Sequence, residues 1–155
     1  MPYLIDGHNL IPKIPGLSLQ AEDDEQQLIT LLLEFCRLQR KQVEVYFDNA
    51  PPGGVRARNF GNLIARFVRQ GSTADQAIRQ RLERLGRAAR NWAVVSSDLA
   101  VQTEARASQA RVLSSEDFAS ILLAALDDSK QDRGAQAEAN LSPEELDDWL
   151  KLFGE

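Results

Sequence analysis

The sequence predicts an α/β domain in which a central, mainly parallel sheet lies between two layers of helices. Three observations carry this reading. Short apolar runs alternate along the chain with longer stretches of helical periodicity. Three of those runs lead into an aspartate: Tyr3-Leu4-Ile5 into Asp6, Val43 to Phe47 into Asp48, and Trp92 to Ser97 into Asp98. An apolar run closed by an acid reads as a buried parallel strand whose last side chain reaches the carboxyl edge of the sheet. The chain also has 155 residues, 43% of them hydrophobic and 26% charged, enough for one domain with a core.

Residues 2–6 are predicted to form the first strand, with a turn from Gly7 to Pro12 at its tip. Residues 22–40 form a helix: Leu28, Leu31, Leu32, Phe35 and Leu38 recur at intervals of three and four. Acids crowd its first turn, and Arg37, Arg40 and Lys41 its last, as the helix dipole prefers. Residues 43–47 form the second strand, and Asn49 to Gly54 a loop. Residues 55–70 are ambiguous, with Phe60, Ile64 and Phe67 favouring a helix. The alternative is a small strand near 65–68 that brings Arg66 and Arg69 toward the carboxyl edge.

Residues 73–89 form a helix capped by Ser72 or Thr73, with Asp75 in its first turn. Residues 92–96 are the third long strand, and a short helix follows between Ser97 and Ala107. Arg111-Val112-Leu113 is a short strand before a helix at 116–127. The pattern breaks at Asp127. Residues 127–140 read as a linker or frayed helix, and Ser142, Pro143 and Glu145 open a final helix by cap, first position and capping box. The predicted organisation is one domain over 1–127, followed by an acidic linker and terminal helix over 128–155 that packs on it.

Composition excludes several classes. No apolar stretch reaches the 18 or more residues of a membrane span, and no basic segment precedes a long apolar one as in a secretory signal. The single Cys36 cannot form an internal disulfide and fits a reducing cytoplasm. The formal net charge is −5, but it is unevenly placed. Residues 37–111 carry 14 Arg/Lys against six Asp/Glu, an excess of eight positive charges, whereas the rest carries four against 17. That asymmetry permits a phosphate-binding face on an acidic protein.

Carboxylates converging on a sheet edge suit a hard divalent cation, Mg²⁺ or Mn²⁺, which takes oxygen ligands and keeps several waters. Asp6, Asp75 and Asp98 are the best candidate set. Asp48 is a fourth ligand, or an acceptor that orients Asn9 or a water. Asn9 has an amide suited to holding Asp6 or a phosphate oxygen, and Ser97 a hydroxyl suited to a carboxylate or phosphate. Arg56, Arg58, Arg66 and Arg69 precede Asp75 and are candidates to line a groove for a single nucleic-acid strand. His8 is the lone histidine, so mechanisms using a histidine pair are excluded. There is no phosphate-binding Gly-x-x-x-x-Gly-Lys-Ser/Thr loop and no Cys/His cluster for zinc.

The segments Leu4-Ile5-Asp6-Gly7-His8-Asn9-Leu10-Ile11, Val45-Tyr46-Phe47-Asp48, Gly71-Ser72-Thr73-Ala74-Asp75 and Val94-Val95-Ser96-Ser97-Asp98 occur in this order across residues 3–126. Together they resemble the YacP-like branch of the NYN nucleases, within the PIN-like superfamily. The resemblance implies a PIN-like three-layer α/β/α sandwich and divalent-metal-dependent endonucleolytic cleavage of single-stranded RNA, with mRNA on the ribosome as a candidate substrate. It maps metal-binding acids onto Asp6, Asp75 and Asp98, with Asn9 and Asp48 nearby. His8 stands where such proteins often carry Tyr, and the acidic tail beyond about 127 departs from the family pattern.

Two other classes compete. A noncatalytic RNA- or ribosome-binding module needs the basic face but not the three acids around a metal. A metal-dependent phosphatase needs a nucleophilic aspartate in a pocket sized for a small ester.

Overall fold

The structure, a computed structural model, describes residues 1–17, 23–50, 54–69 and 71–140. Six strands form one sheet: β1 (Tyr3–Asp6), β2 (Val43–Ala50), β3 (Ala57–Asn59), β4 (Leu63–Arg69), β5 (Ala93–Val95) and β6 (Arg111–Leu113). Their order is β3-β4-β2-β1-β5-β6, and the pairings are parallel except between β3 and β4. The helices are α1 (Gly7–Leu10), α2 (Asp24–Gln39), α3 (Ala74–Leu85), α4 (Leu99–Ala107) and α5 (Ser115–Asn140).

Successive strand residues face opposite sides of the sheet, so a strand covered on both faces needs apolar side chains at every position. β1 meets that need with Leu4 and Ile5, both fully buried. Ile5, Val45 and Val95 lie in register and pack with Leu28, Leu32 and Phe35 of α2 and Phe118 and Leu122 of α5. Leu4, Tyr46 and Val94 face the other way, toward Ala74, Ile78 and Leu82 of α3 and Val101 and Ala105 of α4. The result is the three-layer α/β/α sandwich the sequence predicts.

The connections place the functional edge. After β1 the chain crosses to the α2 face, and after β5 it crosses to the α4 face. β1 and β5 are neighbours, so their carboxyl ends flank a topological switch point, the place where open α/β sheets leave a crevice.

Three segments differ from the sequence reading. Residues 55–70 form an antiparallel hairpin, β3 and β4, instead of the favoured helix; the alternative strand near 65–68 falls within β4. Leu63 and Ala65 face the α2 core while Val68 packs toward α3, so β4 is apolar on both faces and shows no clean period of two. The hairpin turn is marked by Gly61, at φ +89°, whose N–H donates to Asn59 Oδ1 at 2.8 Å. Second, the predicted turn after the first strand is one turn of helix, α1, running into a 3₁₀ turn at Ile11–Lys13. Third, α5 continues to Asn140 with no break at Asp127. Gln, Ala, Glu, Lys and Arg dominate that stretch and are good helix formers, which outweighs the roughly 1 kcal/mol cost of Gly134. The predicted helix from Ser142 and most of the loop at 51–53 lie outside the described residues.

Gly7 is required at the junction of β1 and α1. A Cβ there would sit 2.6 Å from Phe47 Cδ1 and 3.0 Å from the Tyr46 carbonyl oxygen. Phe47 is fully buried and stacks on Phe67 at 5.7 Å, so it has no room to retreat. Gly7→Ala is therefore expected to lower the unfolding free energy by about 1–3 kcal/mol in urea titrations, as overpacking does; an unchanged midpoint would contradict this packing.

Candidate metal centre

Each predicted acid reaches the carboxyl edge by a different local device. Asp6 is the last residue of β1 and caps α1, its Oδ1 accepting from the Asn9 N–H at 3.4 Å. Asp48 lies near the end of β2, and its Oδ1 accepts from the Ala74 N–H at the start of α3. That bond pins the N-terminus of α3 to the sheet and sets Asp75 one residue further along. Thr73 completes the cap, its Oγ1 accepting from Gln76 N at 3.1 Å. Asp98 follows β5 and caps α4, its Oδ1 accepting from Ala100 N at 2.8 Å and Val101 N at 3.2 Å.

The acids feel one another. Burial pushes the Asp6 carboxyl up from 3.8 to about 6; the Asn9 N–H opposes this, and the charges of Asp48 and Asp75 add to it. Asp75 is also pushed up, mainly by burial, with Arg79 opposing and Asp98 and Asp48 adding. Asp75 Oδ1 is buried and has no hydrogen-bond partner among the described residues; its other oxygen stands 3.8 Å from Arg79 Nη2. A buried acceptor without a donor costs about 1–3 kcal/mol. Among the described residues, no three His, Cys, Asp or Glu side chains are gathered closely enough to hold one cation. Mg²⁺ is commonly held through one or two carboxylates and its own waters, so this donor set suits it chemically.

A second network braces the crevice. Asn9 Oδ1 accepts from the Ser97 N–H at 2.9 Å and the Ser115 hydroxyl at 2.5 Å, tying the tip of β1 to the segment after β5 and to the start of α5. The Ser97 hydroxyl donates to Glu116 Oε2 at 2.9 Å and accepts from Ser115 N at 3.1 Å. Lys13 pairs with Glu116 at 2.9 Å and, with the other contacts, holds that carboxyl down at about 2. Ser96 is fully buried, and its hydroxyl accepts from the Asp98 N–H at 3.0 Å. The roles of Ser96 and Ser115 were not legible in the sequence: two adjacent serine pairs carry no signal that one member is buried and bonded across the sheet.

The other predicted site residues are spread out. His8 is half-buried; its Nε2 lies 2.7 Å from Glu25 Oε2, and its Nδ1 accepts from the Asp48 N–H at 3.4 Å. Both bonds fit a neutral ring protonated at Nε2, and Glu25 holds its pKa above the ordinary value. Arg56, Arg58 and Arg69 are exposed, with Arg69 ending β4 at the carboxyl edge. Arg58 pairs in register with Ala65 of the α2 core and so faces the opposite side from Arg66. Arg66 is mid-strand and bonded to Glu44 at 3.1 Å.

The three-layer sandwich around a mainly parallel sheet is the fold of a PIN-like domain. More narrowly, the chain belongs to the YacP-like NYN domain family, whose model matches residues 3–153. The match runs through the acidic tail that the sequence reading set apart from the family pattern. The fold is similar to the crystal structure of Rae1 (YacP) from Bacillus subtilis, with a TM-score of 0.75 and 21% identity over 90% of this chain and 83% of that one. A Trp-to-Leu variant of that protein gives a TM-score of 0.72 and 23% identity over 94% and 90%. No curated protein matches the chain.

The Asp6 shift fixes a pH dependence. Its folded pKa lies above the unfolded value, so the folded protein binds the proton more tightly and loses stability as pH rises from 3.8 to about 6. Two units correspond to about 3 kcal/mol at most. Asp6→Asn is expected to raise the unfolding free energy at pH 7.5 in EDTA and to have little effect at pH 4. Equal destabilisation at both pH values in urea titrations would contradict this.

Proposed function

We propose that this protein is an endoribonuclease that uses a divalent cation, Mg²⁺ or Mn²⁺, to hydrolyse phosphodiester bonds in single-stranded RNA, leaving 3′-hydroxyl and 5′-phosphate ends. The observation that carries the reading is that Asp6, Asp48, Asp75 and Asp98 all stand at the carboxyl edge, where burial first and neighbouring carboxylates second push Asp6 and Asp75 up. Uncompensated carboxylates are costly, and a cation is what offsets them. Family membership supports the same reading.

Asp6, Asp75 and Asp98 are the candidate ligands; among the described residues no three acids gather closely enough to ligate one cation directly, so the ion's own waters would complete the shell. When bound, the cation makes a water more acidic and neutralises charge at the scissile phosphate. The chain's own residues do the positioning. Asp48 fixes the start of α3 and with it Asp75, while Asn9, Ser97 and Ser115 hold the tips of β1 and β5 at one spacing. Ser96 holds the Asp98 backbone from below. Arg69 and Arg56 are exposed for contact with the RNA backbone. RNA engaged on the ribosome is the candidate physiological substrate, and the reducing cytoplasm, where the buried Cys36 stays a thiol, is the proposed compartment.

The second reading, a noncatalytic RNA-binding module, is favoured by one observation: among the described residues, no three potential ligands are close enough for one cation. Cleavage separates the two. Labelled single-stranded RNA with Mg²⁺ or Mn²⁺ should be cut internally by the wild type, and Asp6→Asn and Asp98→Asn should each cut at least about 100-fold more slowly, a loss of roughly 2.7 kcal/mol or more. Asn caps a helix about as well as Asp, so Asp98→Asn should remain folded. RNA binding without cutting by any of the three proteins would favour the binding module.

A further inference from the structure

Away from the acidic edge, the α3 face of the sheet holds a buried carboxylate that the nuclease reading does not use. Glu44 is 5% exposed. A buried carboxylate needs one cationic partner, and Glu44 has two. Arg66 Nε lies 3.1 Å from Oε1, and Arg81 reaches Oε2 through Nη2 at 3.0 Å and Nε at 3.1 Å. The Tyr46 hydroxyl lies 3.3 Å from the same carboxylate, and burial together with Glu44 keeps the phenol protonated. Arg81 also stacks on Trp92, 5.3 Å from the ring centre, so its guanidinium is held in one orientation.

Tyr46, Arg66 and Arg81 open onto a cleft of about 170 Å³ that Ala77, Gln80 and Arg84 also line, with Glu44 behind the guanidinium groups. Arg84 is exposed, and among the described residues no carboxylate pairs with it. The cleft thus sets three guanidinium groups against one carboxylate, an excess of two positive charges. Arg66 spends only its Nε on Glu44, which leaves its terminal nitrogens as donors, and its side chain is 41% exposed. Planar forks held rigidly, with spare donors and excess charge, are suited to a tetrahedral oxyanion.

We propose that this cleft is a phosphate-binding subsite, separate from the acidic edge, with Glu44 as the residue that orients Arg66 and Arg81, and Arg84 as an exposed lining cation with which no carboxylate pairs among the described residues. Glu44 and Asp48 are four residues apart on β2, about 13 Å. Asp75 and Arg84 are nine residues apart on α3, about 14 Å. Asp75 and Arg84 also lie about half a turn apart round α3, so an RNA reaching both sites would bend round the helix rather than run straight along it. The assignment of an RNA phosphate to the cleft rests on the nuclease reading; a phosphate of a small anion or nucleotide would use the same donors.

Binding in EDTA tests this without calling on cleavage. The arginine Nε–H signals of wild-type protein would be followed by ¹⁵N NMR during titration with inorganic phosphate, then with a short oligouridylate. Saturable shifts at Arg66 and Arg81, weakened about ten-fold by Arg84→Ala, are expected for loss of one charge-assisted contact. Ala is a good helix former, so that variant should fold. If the oligonucleotide moves the same signals, and Arg84→Ala reduces the salt slope of its binding by about 0.7, the ligand is the RNA backbone. Shifts with inorganic phosphate alone assign the subsite to a small anion. If neither probe moves the Arg66 and Arg81 signals, or Arg84→Ala binds both as wild type does, the proposal is overturned, whatever the cleavage assay shows.

Discussion

Asp6 is held where its charge is expensive, and the rest of the edge is arranged around that fact. It ends the central strand of the sheet, is largely buried, and feels Asp48 and Asp75. The single backbone N–H from Asn9 is a long bond and offsets little of the cost. Carboxylates held in this way at neutral pH destabilise the domain unless something positive joins them. Under the proposed function, that stability cost is what a bound cation would offset.

Packing and backbone bonds fasten Asp6, Asp48 and Asp98 at the carboxyl edge. Leu4 and Ile5 fix Asp6 by filling both cores, worth roughly 1.5–3 kcal/mol apiece. Asp48 and Asp98 are both spent partly on helix N-termini, where the helix dipole favours a negative charge. Asn9 then links elements more than 80 residues apart in sequence. These three acids are thus positioned by packing and capping, so a cation bound in the proposed role would meet side chains already placed.

The strands that carry the acids were legible because parallel strands buried on both faces leave dense apolar runs, and Asp6, Asp48 and Asp98 punctuate them. Asp75 was legible from the cap at Thr73. The hairpin at Ala57–Asn59 and Leu63–Arg69 was not, because Phe60, Ile64 and Phe67 fit helical spacing as well as they fit a strand apolar on both sides. Arg66 read as a groove residue, and nothing in the local sequence shows that Glu44, 22 residues earlier, faces it. Cross-sheet partners of this kind, like the Asn9–Ser115 bond, are set by register and topology, which residue spacing along one chain does not encode.

The most direct test of the account follows where a cation goes. Trace Mn²⁺ added to ¹⁵N-labelled protein at pH 7.5 broadens the amide signals nearest the bound ion. The account predicts broadening centred on the amides of Asp6, Gly7, Asp75 and Asp98, displaced by excess Mg²⁺ and lost in Asp6→Asn. Broadening confined to other acidic parts of the chain, or unchanged in Asp6→Asn, would contradict it.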